Sequence, residues 1–184
     1  MDDIAPGSEH AIGMLRADHG HIKELLSRLE KVDTVEQDRV LADLFLDLRI
    51  HSIIEQQVFY PSLSEIVDAN IVDARQLAES GKDFYFMLAL MLELESTYAS
   101  SEPLASTLTL LAEQFEQHVN KDESLFNQID KWALDWRAQL NNVAEKMENY
   151  RIELKQKLSR NFSQRDTKEN RFSRPFVVRH PRCA

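Results

Sequence analysis

Leu104-Ala-Ser-Thr-Leu108-Thr-Leu-Leu111-Ala-Glu-Gln-Phe115-Glu-Gln-His118-Val-Asn-Lys-Asp122-Glu-Ser-Leu125-Phe-Asn-Gln-Ile129 is the stretch that decides the fold. Leu104, Leu108, Leu111, Phe115, His118, Asp122, Leu125 and Ile129 recur in alternating steps of four and three. That spacing keeps them on one face of a helix. The same alternation runs through Leu41, Leu44, Leu48, His51, Glu55 and Val58. Each stripe thus places a histidine and a carboxylate one turn apart where leucine is expected: His51 with Glu55, and His118 with Asp122. Burying unpartnered polar groups costs on the order of several kcal/mol. A shared metal ion would satisfy both pairs at once.

Working outward, a first helix is expected from about His10 to Lys31, with Leu15, His19, Ile22, Leu26 and Leu29 inward and Ser8 as N-cap. The second should run from about Val35 to Phe59. It should stop before Pro61, because the residue preceding a proline disfavours helical geometry. A third is expected between Ser64 or Val67 and Ser100, with a less regular stripe of Ala74, Leu77, Gly81, Phe84, Leu88, Met91, Leu94 or Glu95, and Tyr98. Pro103 suits the first turn of the fourth, with Ser101 as its cap. No Gly or Pro interrupts residues 104–174, so the fourth helix either continues or turns tightly near Asn127–Asp130. A further amphipathic stretch follows, through Trp132, Trp136, Leu140, Val143, Met147, Tyr150 and Leu154.

These elements predict an all-α fold. It is an antiparallel up-down-up-down four-helix bundle with an additional C-terminal amphipathic helix. The expected organisation is a loose lead over 1–9, the bundle over 10–130, the amphipathic helix over 131–159 and a basic tail over 160–184. The tail carries a balance of +5 against −14 for the remainder, and its composition is that of a disordered segment. In an antiparallel bundle His19, His51 and His118 fall at similar heights, so the candidate metal ligands are His19, His51, Glu55, His118 and Asp122. Imidazoles mixed with oxygen donors suit non-haem iron, with manganese or zinc as alternatives.

The 184 residues suffice for one domain with a real core. A net charge of −9 argues against nucleic-acid binding, which needs a basic surface. The lone Cys183 excludes an internal disulfide framework. No apolar run approaches the roughly 18 residues of a membrane span, and the acidic start, with Asp2, Asp3 and Glu9, is unlike a signal peptide. A cytoplasmic protein without membrane contact is the expectation.

Three motifs resemble those of the hemerythrin-like family, the HHE cation-binding domains. Asp18-His19-Gly-His21-Ile22 is similar to the family's Asp-His-x-x-Ile opening. His51-Ser-Ile-Ile-Glu55-Gln-Gln-Val-Phe59-Tyr60-Pro61 is similar to its second-helix signature, and His118-Val-Asn-Lys-Asp122-Glu123-Ser-Leu125-Phe126 to its fourth. The resemblance covers about residues 10–130. It implies a four-helix bundle around a non-haem di-iron centre that binds oxygen or another diatomic ligand. Members range over oxygen carriage, sensing of oxygen, iron or nitric oxide, and repair of damaged iron centres.

The chain departs from that pattern in the third helix, which normally supplies a histidine; residues 64–100 hold none. Gly81, Phe84 and Tyr85 stand at the matching depth. Tyr85 is a candidate cofactor-binding residue, as a phenolate ligand or through water. The spacing of the family's oxygen carriers selects Glu123 in place of Asp122, whereas the stripe selects Asp122. Asn127 stands where the family often has Pro. Fewer ligands leave more open positions, which favours sensing or redox handling of oxygen, peroxide or nitric oxide over carriage. Two other classes compete: a metal-free helical interaction module, with a second copy or a protein partner docking on the Trp132–Leu154 helix, and a di-iron oxidase or peroxidase.

Overall fold

The computed structural model describes residues 10–29, 31–32, 34–66, 85–94, 101–131 and 135–165, with the side chains of 34–35, 101–104 and 159–165 left out. All its regular structure is helical: α1 (Ala11–Leu29), α2 (Thr34–Ile54), a π-helical turn (Glu55–Phe59), α3 (Tyr60–Ile66), a helix over 85–94 that we call α4, α5 (Ser101–Asp130) and α6 (Arg137–Arg165). The expected lead (with Ser8), most of the third-helix stripe (including Gly81 and Phe84), Trp132 and residues 166–184 of the tail lie outside the described residues.

α1 ends where expected, its last turn closed by the amides of Lys31 and Val32 donating to the Arg28 carbonyl. Only residues 30–33 separate it from α2, and the two helices pack side by side, which makes them antiparallel. Helix α2 does not stop before Pro61. It passes through the π-turn directly into α3, with Tyr60, the residue before the proline, still in right-handed helical geometry. The physical reason lies one turn upstream. There the Tyr60 amide donates to the Glu55 carbonyl five residues back, so the backbone is widened where the pyrrolidine ring would otherwise meet it. The extra residue also shifts the inward register: Phe59 is fully buried and Val58 only partly.

The core has two parts. One joins Ile12, Leu15, Ile50, Ile54, Phe59, Phe126 and Ile129 to Leu140, Val143, Met147 and Leu154 of α6. The other joins Ile22, Leu25, Leu29, Leu41, Leu44, Leu48, Met87, Met91, Leu94, Leu111 and Phe115. The expected stripes are therefore buried from Leu41 to Glu55 and from Leu111 to Ile129, with Leu108 and Val58 partly so, and the polar cluster lies on them. The apolar face of α6, expected to pack either on the bundle or on a partner, packs on the bundle: Leu140, Val143, Met147 and Leu154 are buried, and Trp136 and Tyr150 pack against the same core. No described helix is long and apolar enough to cross a membrane.

Candidate metal centre

α1 turns His19 inward, α2 brings His51, the first residue of the π-turn brings Glu55, and α5 brings His118 and Asp122. All five are at most 3% exposed. One donor atom from each of His19, His51, Glu55 and His118 falls within 4.8 Å of every other. Glu55 stands in the middle. Its Oε1 lies 3.3 Å from His51 Nε2 and 3.8 Å from His19 Nε2, and its Oε2 lies 3.2 Å from His118 Nε2. Asp122 Oδ2 is 3.4 Å from His118 Nε2 and 3.7 Å from His19 Nε2. The three imidazoles meet edge to face, with interplanar angles of 69–83°.

Most of these separations exceed the roughly 2.7–3.2 Å of a good N–H···O hydrogen bond. Around a cation with bonds of about 2.1 Å, neighbouring donors stand about 3.0 Å apart in octahedral and about 3.4 Å in tetrahedral geometry. The separations of 3.2–3.8 Å are those of donors gathered around a cation position rather than bonded to one another. Both ring nitrogens of His19 and Glu55 Oε1 are buried with no hydrogen-bond partner among the described residues. Each such atom costs about 1–3 kcal/mol. The donor chemistry, nitrogen from three helices and carboxylate oxygen from two, fits a cation that would satisfy them together.

Around the donors the walls are apolar. Phe115 stands edge-on to the His19 and His51 rings, and Phe126 stacks on His19 with an interplanar angle of 15°. Polar support comes from further out. Tyr60 Oη donates to Asp122 Oδ1 at 2.9 Å. Asp18 Oδ2 lies 3.6 Å from His51 Nδ1 and accepts from Arg151 of α6.

Burial pushes the His19 imidazole down to about 4, against the pull of Glu55, so it is neutral at pH 7 as a ligand must be. Burial alone would raise Glu55, but the charges of His51 and His118 outweigh it and hold this carboxyl well below its ordinary 4.5. Burial would lower His51, yet Glu55 and Asp18 overcome it and raise this group above 6.5. Asp18, which burial would raise, is held below 3.8 by His51 and Arg151.

The signs give a pH profile for the metal-free protein. The depressed His19 removes stability as pH falls from 6.5 toward about 4, because only the unfolded chain takes up that proton. The raised His51 does the reverse: its contribution is complete below 6.5 and is lost as pH rises through the raised value. The two act in adjacent windows, His51 above 6.5 and His19 below it. Glu55 and Asp18 contribute above their ordinary values and lose that contribution as pH falls below 4.5 and 3.8. The urea midpoint should therefore fall once pH drops below about 6.5, and more steeply below about 4.5 where Glu55 and Asp18 add to the loss. A midpoint that holds constant between pH 6.5 and 5 would contradict these signs.

Two sequence candidates stand outside the cluster. Tyr85, the first described residue of α4, is 66% exposed; α4 turns Met87, Leu90, Met91 and Leu94 inward instead. Glu123 lies one residue around α5 from Asp122, and that rotation of about 100° aims it at Arg16, whose Nε donates to both carboxylate oxygens at 3.1 and 3.2 Å. His21 pairs with Asp47 and is largely exposed, and His10 is half-buried at the head of α1. Sequence reasoning did not single out Tyr60 or Arg151. Tyr60 was hidden by the expected helix stop at Pro61, and nothing local marks Arg151 as the partner of a residue on α1.

A family model described as the hemerythrin HHE cation-binding domain matches residues 10–129, about two thirds of the chain. No curated protein and no solved structure matches the chain.

Proposed function

From the premise that the chain belongs to the hemerythrin HHE cation-binding family, we propose that it holds non-haem iron and uses it to sense or handle a small ligand such as dioxygen, peroxide or nitric oxide. The observation that carries this reading is the convergence of five buried donors from three helices, at separations suited to a cation. His19, His51 and His118 would bind through Nε2, with Glu55 and Asp122 as the carboxylates. Bound iron would supply a Lewis-acidic, redox-active position. Manganese or zinc could occupy the same donors, but the mix of three imidazoles with carboxylate oxygen favours iron.

The donor economy favours one ion per chain over the pair that the resemblance implies. Five donors nearly complete the octahedral set of one cation and leave a position open. A second ion beside it would have to share Glu55 and Asp122 and would find no further imidazole among the described residues. The chain's own groups define what may approach that position. Phe115 and Phe126 keep the surroundings dry and apolar, which favours small, uncharged ligands over anions. Glu55 and Asp122 offset the charge of the cation. An open position favours ligand exchange, and hence sensing or redox handling, over protected carriage.

Anaerobic titration of the purified protein with Fe(II), followed by metal analysis, tests this. The expected result is one iron per chain. At a hundredfold excess over Kd the metal should add about 2.7 kcal/mol of stability, a rise in Tm of about 5–11 °C that a chelator reverses. Peroxide or nitric oxide should then change the absorption bands of the loaded protein. Two irons per chain would overturn the single-ion reading. No uptake and no thermal shift would overturn the metal reading altogether.

A further inference from the structure

Helix α6 lies beyond the residues that the family model matches, yet it reaches the surroundings of three candidate ligands. Arg151 donates from both terminal nitrogens to Asp18, at 2.9 Å to Oδ1 and 2.7 Å to Oδ2. This is a bidentate fork, and both side chains are under 20% exposed. The oxygen that takes the shorter bond, Oδ2, is also the one facing His51 Nδ1 at 3.6 Å. Asp18 directly precedes His19, so the same fork anchors the α1 backbone beside a second ligand. One residue earlier on α6, Tyr150 donates to the Gln57 side chain in the π-turn that begins at Glu55. Below these contacts, Met147 and Leu154 pack into the core that contains Ile50 and Ile54, which flank His51 on α2.

On the premise of the metal reading above, we propose that Arg151 is a positioning residue for the centre, acting through Asp18 on His51, and that α6 and bound metal stabilise one another. A histidine that binds metal through Nε2 is oriented, and its tautomer fixed, by the acceptor at Nδ1. Here the group facing Nδ1 is Asp18, whose Oδ2 at 3.6 Å lies a few tenths of an ångström beyond a hydrogen bond and would close on the ring as metal fixes it. A carboxylate free to rotate or to be hydrated orients nothing, and the guanidinium fork removes that freedom from both oxygens. Lysine, a point charge on a flexible stem, cannot do so equally well. Because linkage is reciprocal, whatever loosens α6 lowers metal affinity, and metal binding tightens α6 by the same factor. The helix becomes a handle on the centre that the bundle itself does not contain.

The test compares Co(II) affinity in the full chain for wild type, Arg151→Gln, Asp18→Asn, the double variant, and Lys157→Gln. Lys157 lies on an exposed stretch of the same helix and, among the described residues, pairs locally with Glu153. Each of the two single variants should raise Kd about 10–100-fold, the range for loss of an outer partner of a metal ligand. The double variant should be no weaker than the weaker single, because both act along one path. Lys157→Gln should match wild type. Amide exchange across α6 should slow when metal binds to wild type, and slow less in Arg151→Gln. If Arg151→Gln does not fold, Arg151→Lys takes its place, with a Kd between wild type and Asp18→Asn. A Kd within about twofold of wild type for a folded Arg151 variant, or single effects that multiply in the double variant, would overturn the proposal. Wild-type protein that binds no Co(II) would instead sink the metal reading on which it rests.

Discussion

His19→Leu is expected to make the metal-free protein more stable and the metal-binding protein useless. The imidazole is 3% exposed, neutral at pH 7, and has neither nitrogen hydrogen-bonded among the described residues. Leucine is of similar size and suits the surroundings of Phe115 and Phe126. Removing a buried, unsatisfied polar group should recover about 1–3 kcal/mol. For a chain of this length that is a rise in Tm of about 2–12 °C. Glu55 keeps His51 and His118 beside it, so its charge is not stranded. Metal affinity should fall by more than about 100-fold, since losing a ligand costs more than losing a ligand's supporter. Differential scanning calorimetry with and without Fe(II) reads both effects at once. An interaction module without metal predicts the reverse pattern, a less stable variant and no thermal response to metal in either protein.

Phe126→Ala should have the largest effect on stability. Its ring is fully buried, stacks on His19, meets Phe59 edge-on at 5.8 Å and lies beneath the Arg16 guanidinium at 5.6 Å. Removing a buried phenylalanine side chain costs about 3–5 kcal/mol, or about 6–20 °C in Tm for a chain of this size. The cavity would open directly against His19, so metal affinity should weaken as well. Saturating metal should return only part of the lost stability. A loss below about 1 kcal/mol in urea unfolding would mean that the α1–α5 seam repacks, and that the apolar wall is not the rigid support described above.

These two residues also show what can be read from sequence. Phe115, His118 and Asp122 announce themselves through local periodicity: a helix face is set by spacing alone, and the face that carries leucine is the one that is buried. That argument preferred Asp122 to Glu123 by a rotation of about 100°, and the structure puts Asp122 among the imidazoles and Glu123 on Arg16. The same logic had no purchase where periodicity was weak. Tyr85 was placed by depth along an irregular stripe, and α4 instead turns Met87 and Met91 inward. The continuation through Pro61 depends on a backbone widening that no residue type announces. Arg151 and Asp18 meet across a separation of 133 residues, and one surface-type arginine among several carries no mark of its distant partner.

The π-turn over Glu55–Phe59 has a consequence for how the chain tolerates change in length. It stores one residue more than a regular helix would use over the same rise. Deleting Gln56 or Gln57 would let the turn close into an ordinary one. Everything downstream would keep its phase, and the Tyr60 hydroxyl would stay on Asp122. The surplus residue is thus slack: a one-residue deletion absorbed here would, in a regular turn of the same helix, screw Tyr60 round by about 100°.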